Sequence, residues 1–246
     1  MHRFPKALAA LGIGMLTAPF GDAPRSRADE PNPVTAIDIL LEPDATMIRH
    51  AVDANERLLK EFPKGFALGK THQPHISCLQ TYAKTTDLDN IYEAVDKVLA
   101  EEKPAAWKLK AYKYSYIPGS GALKEIGLGQ IVIEPTEDLL RYQQKLIDAV
   151  TPFTVKTGTA AAFVTTKEDP EINQPTIDYV ATFVPDASGK KFNPHVTIGI
   201  ATQDYLKKMR DEKFEDFTFS PVGVSVYHLG NFGTARKKLK SWELKP

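Results

Sequence analysis

The sequence predicts an α+β fold built as two related lobes, and three observations carry that reading. Apolar stretches of strand period are followed by stretches of helical period, and this order runs twice along the chain. Glu42-Pro43 and Glu134-Pro135 end corresponding strands 92 residues apart. Pro74-His75 and Pro194-His195 open a second pair of corresponding strands 120 residues apart. A repeat this long that occurs only twice excludes a solenoid.

The first half is expected over residues 35–117. Thr35 to Leu41 sets Ile37, Ile39 and Leu41 against Ala36, Asp38 and Leu40, the alternation of a strand, and Glu42-Pro43 ends it. Asp44 is placed to cap a helix whose apolar residues (Met47/Ile48, Ala51/Val52, Leu58/Leu59, Phe62) recur at helical spacing until Pro63. A short apolar strand follows at His75 to Tyr82. Thr86 and Asp89 then open a second helix with Leu88, Ile91, Val95 and Val98/Leu99 on one face, and Trp107 to Ile117 is a third strand.

The second half, over 125–244, repeats the order. Gly127 to Ile133 reads as a strand, the helix after Pro135 carries Leu139/Leu140, Leu146/Ile147 and Val150, and His195 to Ala201 is a short apolar strand. Thr202 caps a further helix with Leu206 and Met209, before strand material from Phe217 to Leu229. The unequal spacings leave 28 extra residues in the second half, assigned to an insertion at 151–187. This segment reads as a surface excursion with one added strand, Asp178 to Val184; the alternative is a lid that closes over substrate.

Composition narrows the function classes. At 246 residues, 42% hydrophobic and 25% charged, the chain is long enough and apolar enough to build its own core. One cysteine, Cys78, excludes an intrachain disulfide framework and a cysteine-built zinc site. Thirty-one basic and 31 acidic side chains cancel, so no global field holds a long nucleic acid. Ahead of the repeat, Arg3 and Lys6 precede an apolar run from Ala7 to Phe20, and Ser26-Arg27-Ala28 places small residues at a signal-peptidase site. Residues 1–28 are therefore expected to be a secretory signal cut after Ala28, giving a periplasmic or secreted domain of residues 29–246. The run is too short and too rich in Gly and Pro to span a bilayer, so no membrane association is expected after cleavage.

The chemistry is expected at the two Pro-His pairs. Residues i and i+2 of a strand share a face, so His75 and Ser77 point one way, as do His195 and Thr197. If the lobes pack about a twofold axis, two imidazoles and two hydroxyls converge on one cleft. Such a set suits displacement at phosphorus: one imidazole takes a proton, the other gives one, and the hydroxyls donate to phosphate oxygens. No metal or cofactor is needed. Zinc ligation by both histidines is the competing use, with His72 the nearest further ligand.

The paired His-x-Ser/Thr motifs, His75-Ile76-Ser77 and His195-Val196-Thr197, each behind a proline in a duplicated strand-helix setting, resemble the two-histidine (2H) phosphoesterase superfamily, which includes 2′-5′ RNA ligase-like proteins and cyclic phosphodiesterases. The resemblance implies a bilobal fold with antiparallel sheets flanking a central cleft and helices outside. It also implies His75 and His195 as acid and base, and Ser77 and Thr197 as phosphate donors. The expected activity is metal-independent hydrolysis of a 2′,3′-cyclic phosphate or a 2′-5′ linkage in a nucleotide or short oligonucleotide, by a monomer. The alternative is an exported nucleotide- or RNA-fragment-binding module without turnover.

Other residues have two readings each. Tyr112, Tyr114 and Tyr116 alternate onto one strand face, where they either stack a base or pack a sheet. Lys190 and Lys191 either attract phosphate or lie in a solvated turn. His228 either reaches the cleft rim or is structural.

Overall fold

The computed structural model describes residues 33–119, 121–167 and 169–245, so the expected signal at 1–28 lies outside it, as does Ser120. In chain order the elements are β1 (Val34–Pro43), α1 (Ala45–Glu61), β2 (Ile76–Lys84), α2 (Leu88–Glu102), β3 (Leu109–Pro118), β4 (Ile126–Ile133), α3 (Glu137–Val150), β5 (Thr154–Val155), α4 (Gln174–Ala187), β6 (His195–Thr202), α5 (Gln203–Asp211), β7 (Phe217–Phe219), β8 (Pro221–Leu229) and β9 (Ala235–Glu243). Among the described residues no helix is long and apolar enough to cross a membrane.

Capping follows the residue types. The Asp44 carboxylate accepts the Thr46 and Met47 amides at 2.9 and 3.3 Å, and Thr136 and Thr202 accept the amides three residues on. The expected cap at Thr86 is corrected: Thr85 to Asp87 form a 3-10 turn and α2 starts at Leu88 without a side-chain cap.

Two antiparallel sheets flank the cleft, ordered β5-β2-β1-β8-β9 and β6-β4-β3-β7. β1 of the first half lies between its own β2 and β8 of the second, and β4 of the second lies between its own β6 and β3 of the first. Each half thus sends its third strand into the other's sheet. Neither sheet is complete without both halves, so the lobes share one core running from Ile37 to Val226.

The register refines the repeat. Leu40 faces Ser77 and Ile39 faces Leu79, leaving Cys78 as an extra, bulged residue; Gln130 faces Thr197 and Gly129 faces Gly199, leaving Ile198 bulged. The two bulges are equivalent, and they pair Leu40 with Gln130 as counterparts, an offset of 90 rather than 92 residues. The Glu-Pro pairs mislead by two because Glu42-Pro43 still belongs to β1, whereas Glu134-Pro135 follows the end of β4.

α1 lies on β6, α5 on β3, and α2 and α3 on each other with α3 against β2, all outside the cleft. α4 is the exception and corrects the expected strand at Asp178 to Val184. The run Tyr179-Val180-Ala181-Thr182-Phe183-Val184 has strand-like composition, but Asn173 caps the Thr176 amide, Pro175 sits in the first turn, and the buried positions Thr176, Val180 and Phe183 recur at helical spacing. Nor is the segment a mere surface excursion. Ala162, Phe163 and Val180 bury themselves on Ala36, Tyr82 and Leu229, and the Tyr82 hydroxyl donates to the Ile177 carbonyl at 2.8 Å. Ala36 shares a strand face with Asp38, so α4 stands on the cleft side of its sheet.

Candidate active site

Both histidines are fixed by the same short loop. After each Pro-His pair starts its strand, the imidazole Nδ1–H donates to the carbonyl two residues back, His75 to Gln73 at 2.7 Å and His195 to Asn193 at 2.8 Å. A carbonyl only accepts, so the proton sits on Nδ1 and Nε2 is the nitrogen free to exchange protons with a substrate. The loop before His75 is anchored further. Tyr227 Oη donates to Gln73 Oε1 at 3.1 Å. Asn55 of α1 donates to the Phe66 carbonyl at 3.0 Å and accepts the Leu68 amide at 2.9 Å. The same Asn55 donates to the carbonyl of bulged Ile198 at 2.8 Å, which needs Gly199: a Cβ there would lie 2.6 Å from the Asn55 nitrogen, and its φ of +132° suits glycine.

The surroundings of the two rings differ. Asp38, fully buried in the middle of β1, takes a hydrogen bond from Ser77 Oγ at 2.5 Å and one from Gln80 Nε2 at 3.1 Å, and its Oδ2 lies 3.8 Å from His75 Nε2. Burial pushes this carboxyl above the usual carboxylate range, against the downward pull of His75, Ser77 and Gln80. In the other lobe the counterpart of Asp38 is Leu128, and no carboxylate pairs with His195 among the described residues. Burial holds His195 below the ordinary histidine value; its Asn193 contact raises it, and the His75 charge lowers it further. The two imidazoles are therefore near enough for the His75 charge to act on His195. Thr197 lies opposite buried Gln130, and its hydroxyl has no protein partner among the described residues, whereas the Ser77 hydroxyl is committed to Asp38.

The remaining candidate residues separate. A third bulge, at Tyr112, breaks the alternation of β3: Ala111 faces Ile133 and Lys113 faces Val132. The single tyrosine face is therefore corrected. Tyr114 and Tyr116 share the core face with Ile131; Tyr114 meets Phe214 edge-on at 4.8 Å, and Arg210 lies 5.9 Å from the Tyr116 ring. Tyr112 falls on the opposite face, that of Val132 and His195, with the Lys113 ammonium 5.1 Å from its ring. Lys191 turns back to the end of α4, donating to the Pro185 carbonyl at 2.9 Å with Asp186 at 3.6 Å. His228 lies opposite Ile37 and its Nε2–H donates to the Ala162 carbonyl at 2.9 Å, away from the cleft. His72 stacks on Phe66 with ring centroids 4.4 Å apart.

Asp38 escaped the sequence reading although a signal was present, since a lone aspartate inside Ala-Ile-Asp-Ile-Leu-Leu can be buried only with partners. Tyr179 escaped because its helix reads as a strand. It projects from α4 with 44% of its surface exposed and meets Phe183 edge-on at 5.7 Å, and burial and then the Asp38 charge push its phenol up.

No family model matches the chain, and no curated protein matches it by sequence. Solved structures of similar shape include TT0787 of Thermus thermophilus, at 16% identity over 85% of this chain and 98% of that one, with a TM-score of 0.49. Escherichia coli LigT in its apo form has 11% identity over 87% of this chain and 100% of its own, with a TM-score of 0.42. Kluyveromyces marxianus Usb1 with uridine monophosphate has 9% identity over 87% and 97%, with a TM-score of 0.40.

Proposed function

We propose that the protein is a 2H-type phosphodiesterase that hydrolyses a 2′,3′-cyclic phosphate or a 2′-5′ linkage in a nucleotide or short oligonucleotide. The observation that carries this reading is the repeated geometry of the histidines. Two imidazoles, each with Nδ1 tied to the carbonyl two residues back, keep Nε2 free for a substrate, and the His75 charge acts on His195. In-line displacement at phosphorus requires one proton acceptor and one proton donor in such an arrangement.

The surroundings divide the roles. His195, with its proton affinity lowered by burial, is suited to accept a proton from water. His75, beside the Asp38 carboxyl, is suited to carry a proton and give it to the leaving ribose oxygen. Attack by water forms a P–O bond as the bond to the leaving oxygen breaks, and the proton taken up by His195 is matched by the one released from His75. Thr197, with its hydroxyl unspent, is the stronger candidate to hold a non-bridging phosphate oxygen. No step in this sequence calls on a metal. In this reading the segment 1–28 directs the enzyme out of the cytoplasm.

The test is turnover of 2′,3′-cyclic nucleotides and short 2′-5′-linked oligonucleotides in excess chelator. Product formation that depends on both histidines supports the reading. Nucleotide binding without product would transfer support to the non-catalytic module.

A further inference from the structure

Each half of the chain carries a buried side-chain amide on the helix that follows its first strand, Asn55 on α1 and Gln143 on α3, 3% and 1% exposed. The two make the same set of bonds. Asn55 Nδ2 donates to the Ile198 carbonyl at 2.8 Å and to the Phe66 carbonyl at 3.0 Å, and its Oδ1 accepts the Leu68 amide at 2.9 Å. Gln143 Nε2 donates to the Cys78 carbonyl at 3.1 Å and to the Ala187 carbonyl at 3.0 Å, and its Oε1 accepts the Gly189 amide at 3.2 Å.

The partners cross between the halves. Ile198 and Cys78 are the bulged residues directly after Thr197 and Ser77, whereas Phe66 to Leu68 lead to His75 and Ala187 to Gly189 lead to His195. Asn55 thus ties the approach to His75 to the strand of His195, and Gln143 ties the approach to His195 to the strand of His75. The helices pack accordingly, α1 on β6 and α3 on β2. Side-chain length follows the backbone it meets. Past the Ile198 bulge stands Gly199, where a Cβ would lie 2.6 Å from the Asn55 nitrogen; past the Cys78 bulge stands Leu79, and the amide there is the longer Gln143.

Each clamp is carried on to its imidazole. The Phe66 ring stacks on His72 with centroids 4.4 Å apart, Gly69 and His72 exchange backbone hydrogen bonds at 3.1 and 3.2 Å, and Gln73 then accepts from the His75 ring. On the other side the Lys191 and Phe192 amides donate to the Ser188 and Gly189 carbonyls at 3.0 and 3.1 Å, and Asn193 accepts from the His195 ring. Satisfying a buried bulge carbonyl needs only one donor. Here the same side chain also fixes a carbonyl and an amide of the opposite histidine's approach.

We propose that Asn55 and Gln143 are positioning residues of the two-histidine site, and that these crossed clamps set the gap between the imidazoles. This inference rests on the phosphodiesterase reading above. In-line displacement needs acid and base on opposite sides of one phosphorus, so a fixed gap matters more to the rate than to binding.

The experiment measures kcat and KM for adenosine 2′,3′-cyclic phosphate, with melting temperatures, in Asn55→Leu and Gln143→Met, which keep the volume and remove the amide. Each variant is expected to lower kcat by about tenfold to 10²-fold, the size of an ångström-scale misplacement, with KM within about twofold of the wild type. The melting temperature falls as well, because buried carbonyls lose their donors. Where a variant does not fold, Asn55→Ser or Gln143→Asn takes its place, since each leaves a shorter polar side chain and room for a bridging water.

A folded variant with wild-type kcat, or one whose loss lies in KM alone, overturns the clamps. Absence of turnover in the wild type counts against the phosphodiesterase reading instead, and crystal structures of the same variants then decide the clamps alone. Imidazoles displaced relative to one another by about 0.5 Å or more, the tolerance of a productive site, support them, and imidazoles left in place overturn them.

Discussion

Around His75 the imidazole has a buried carboxylate 3.8 Å from its free nitrogen, and the neighbouring hydroxyl is already bonded to that carboxylate. Around His195 the carboxylate is replaced by Leu128, the ring is held toward neutrality by burial, and the Thr197 hydroxyl is uncommitted among the described residues. The same backbone device, a Pro-His pair followed by a bulge, therefore supports two different electrostatic settings. Duplication supplied the geometry, and one residue two places along β1 from the register counterpart of Gln130 made the halves unequal.

The largest expected effect treats the halves alike. Replacing either histidine by alanine should lower kcat by roughly 10²-fold or more, with the circular dichroism spectrum and melting temperature retained, because each removes one proton-transfer partner. A variant that keeps full activity would sink the two-histidine reading.

The hydroxyls should break the symmetry. Thr197→Val removes a free donor to phosphate and is expected to cost about tenfold in kcat/KM, in line with the loss of a hydrogen bond to a charged group. Ser77→Ala should cost less in phosphate affinity, because that hydroxyl faces Asp38, and should instead disturb the setting of His75. Equal losses of phosphate affinity, measured with a phosphate-ester inhibitor, would mean that both hydroxyls bind the substrate.

Asp38→Asn sharpens the comparison through pH. Removing the carboxylate 3.8 Å from His75 Nε2 should lower kcat/KM by about tenfold, the loss of one charged neighbour beside the acid. The acidic limb of the kcat/KM profile belongs to His195 and should stay in place, below the ordinary histidine value of 6.5 because burial lowers that group. Movement of the acidic limb alone would reverse the assignment of base and acid.

Much of this was legible in the sequence because its cause is local. β1, α1, β4, α3 and α5 follow from apolar periodicity and from Asp44 and Thr202 as caps. The two His-x-Ser/Thr motifs are likewise visible as residue types on one strand face. What was not legible depends on pairing between distant residues. The exchange of β3 and β8 between sheets is set by long-range strand partners, and the bulge at Tyr112 changes which face Tyr114 and Tyr116 occupy without any marker in the residues themselves. α4 has strand-like composition but gains its stability from burying Val180 and Phe183, so tertiary contact overrides local preference. Asp38 becomes informative only when the register brings Ser77 and Gln80 to it.

The central claim is that both histidines act together on a phosphodiester. Its most direct test is hydrolysis of a 2′,3′-cyclic nucleotide in excess chelator by the wild type, each single His→Ala variant and the double variant, with folding verified for all four. The account predicts turnover by the wild type, a loss of roughly 10²-fold or more in each single variant, and little further loss in the double variant because the two groups act as a unit. Undiminished turnover in either folded single variant would contradict it.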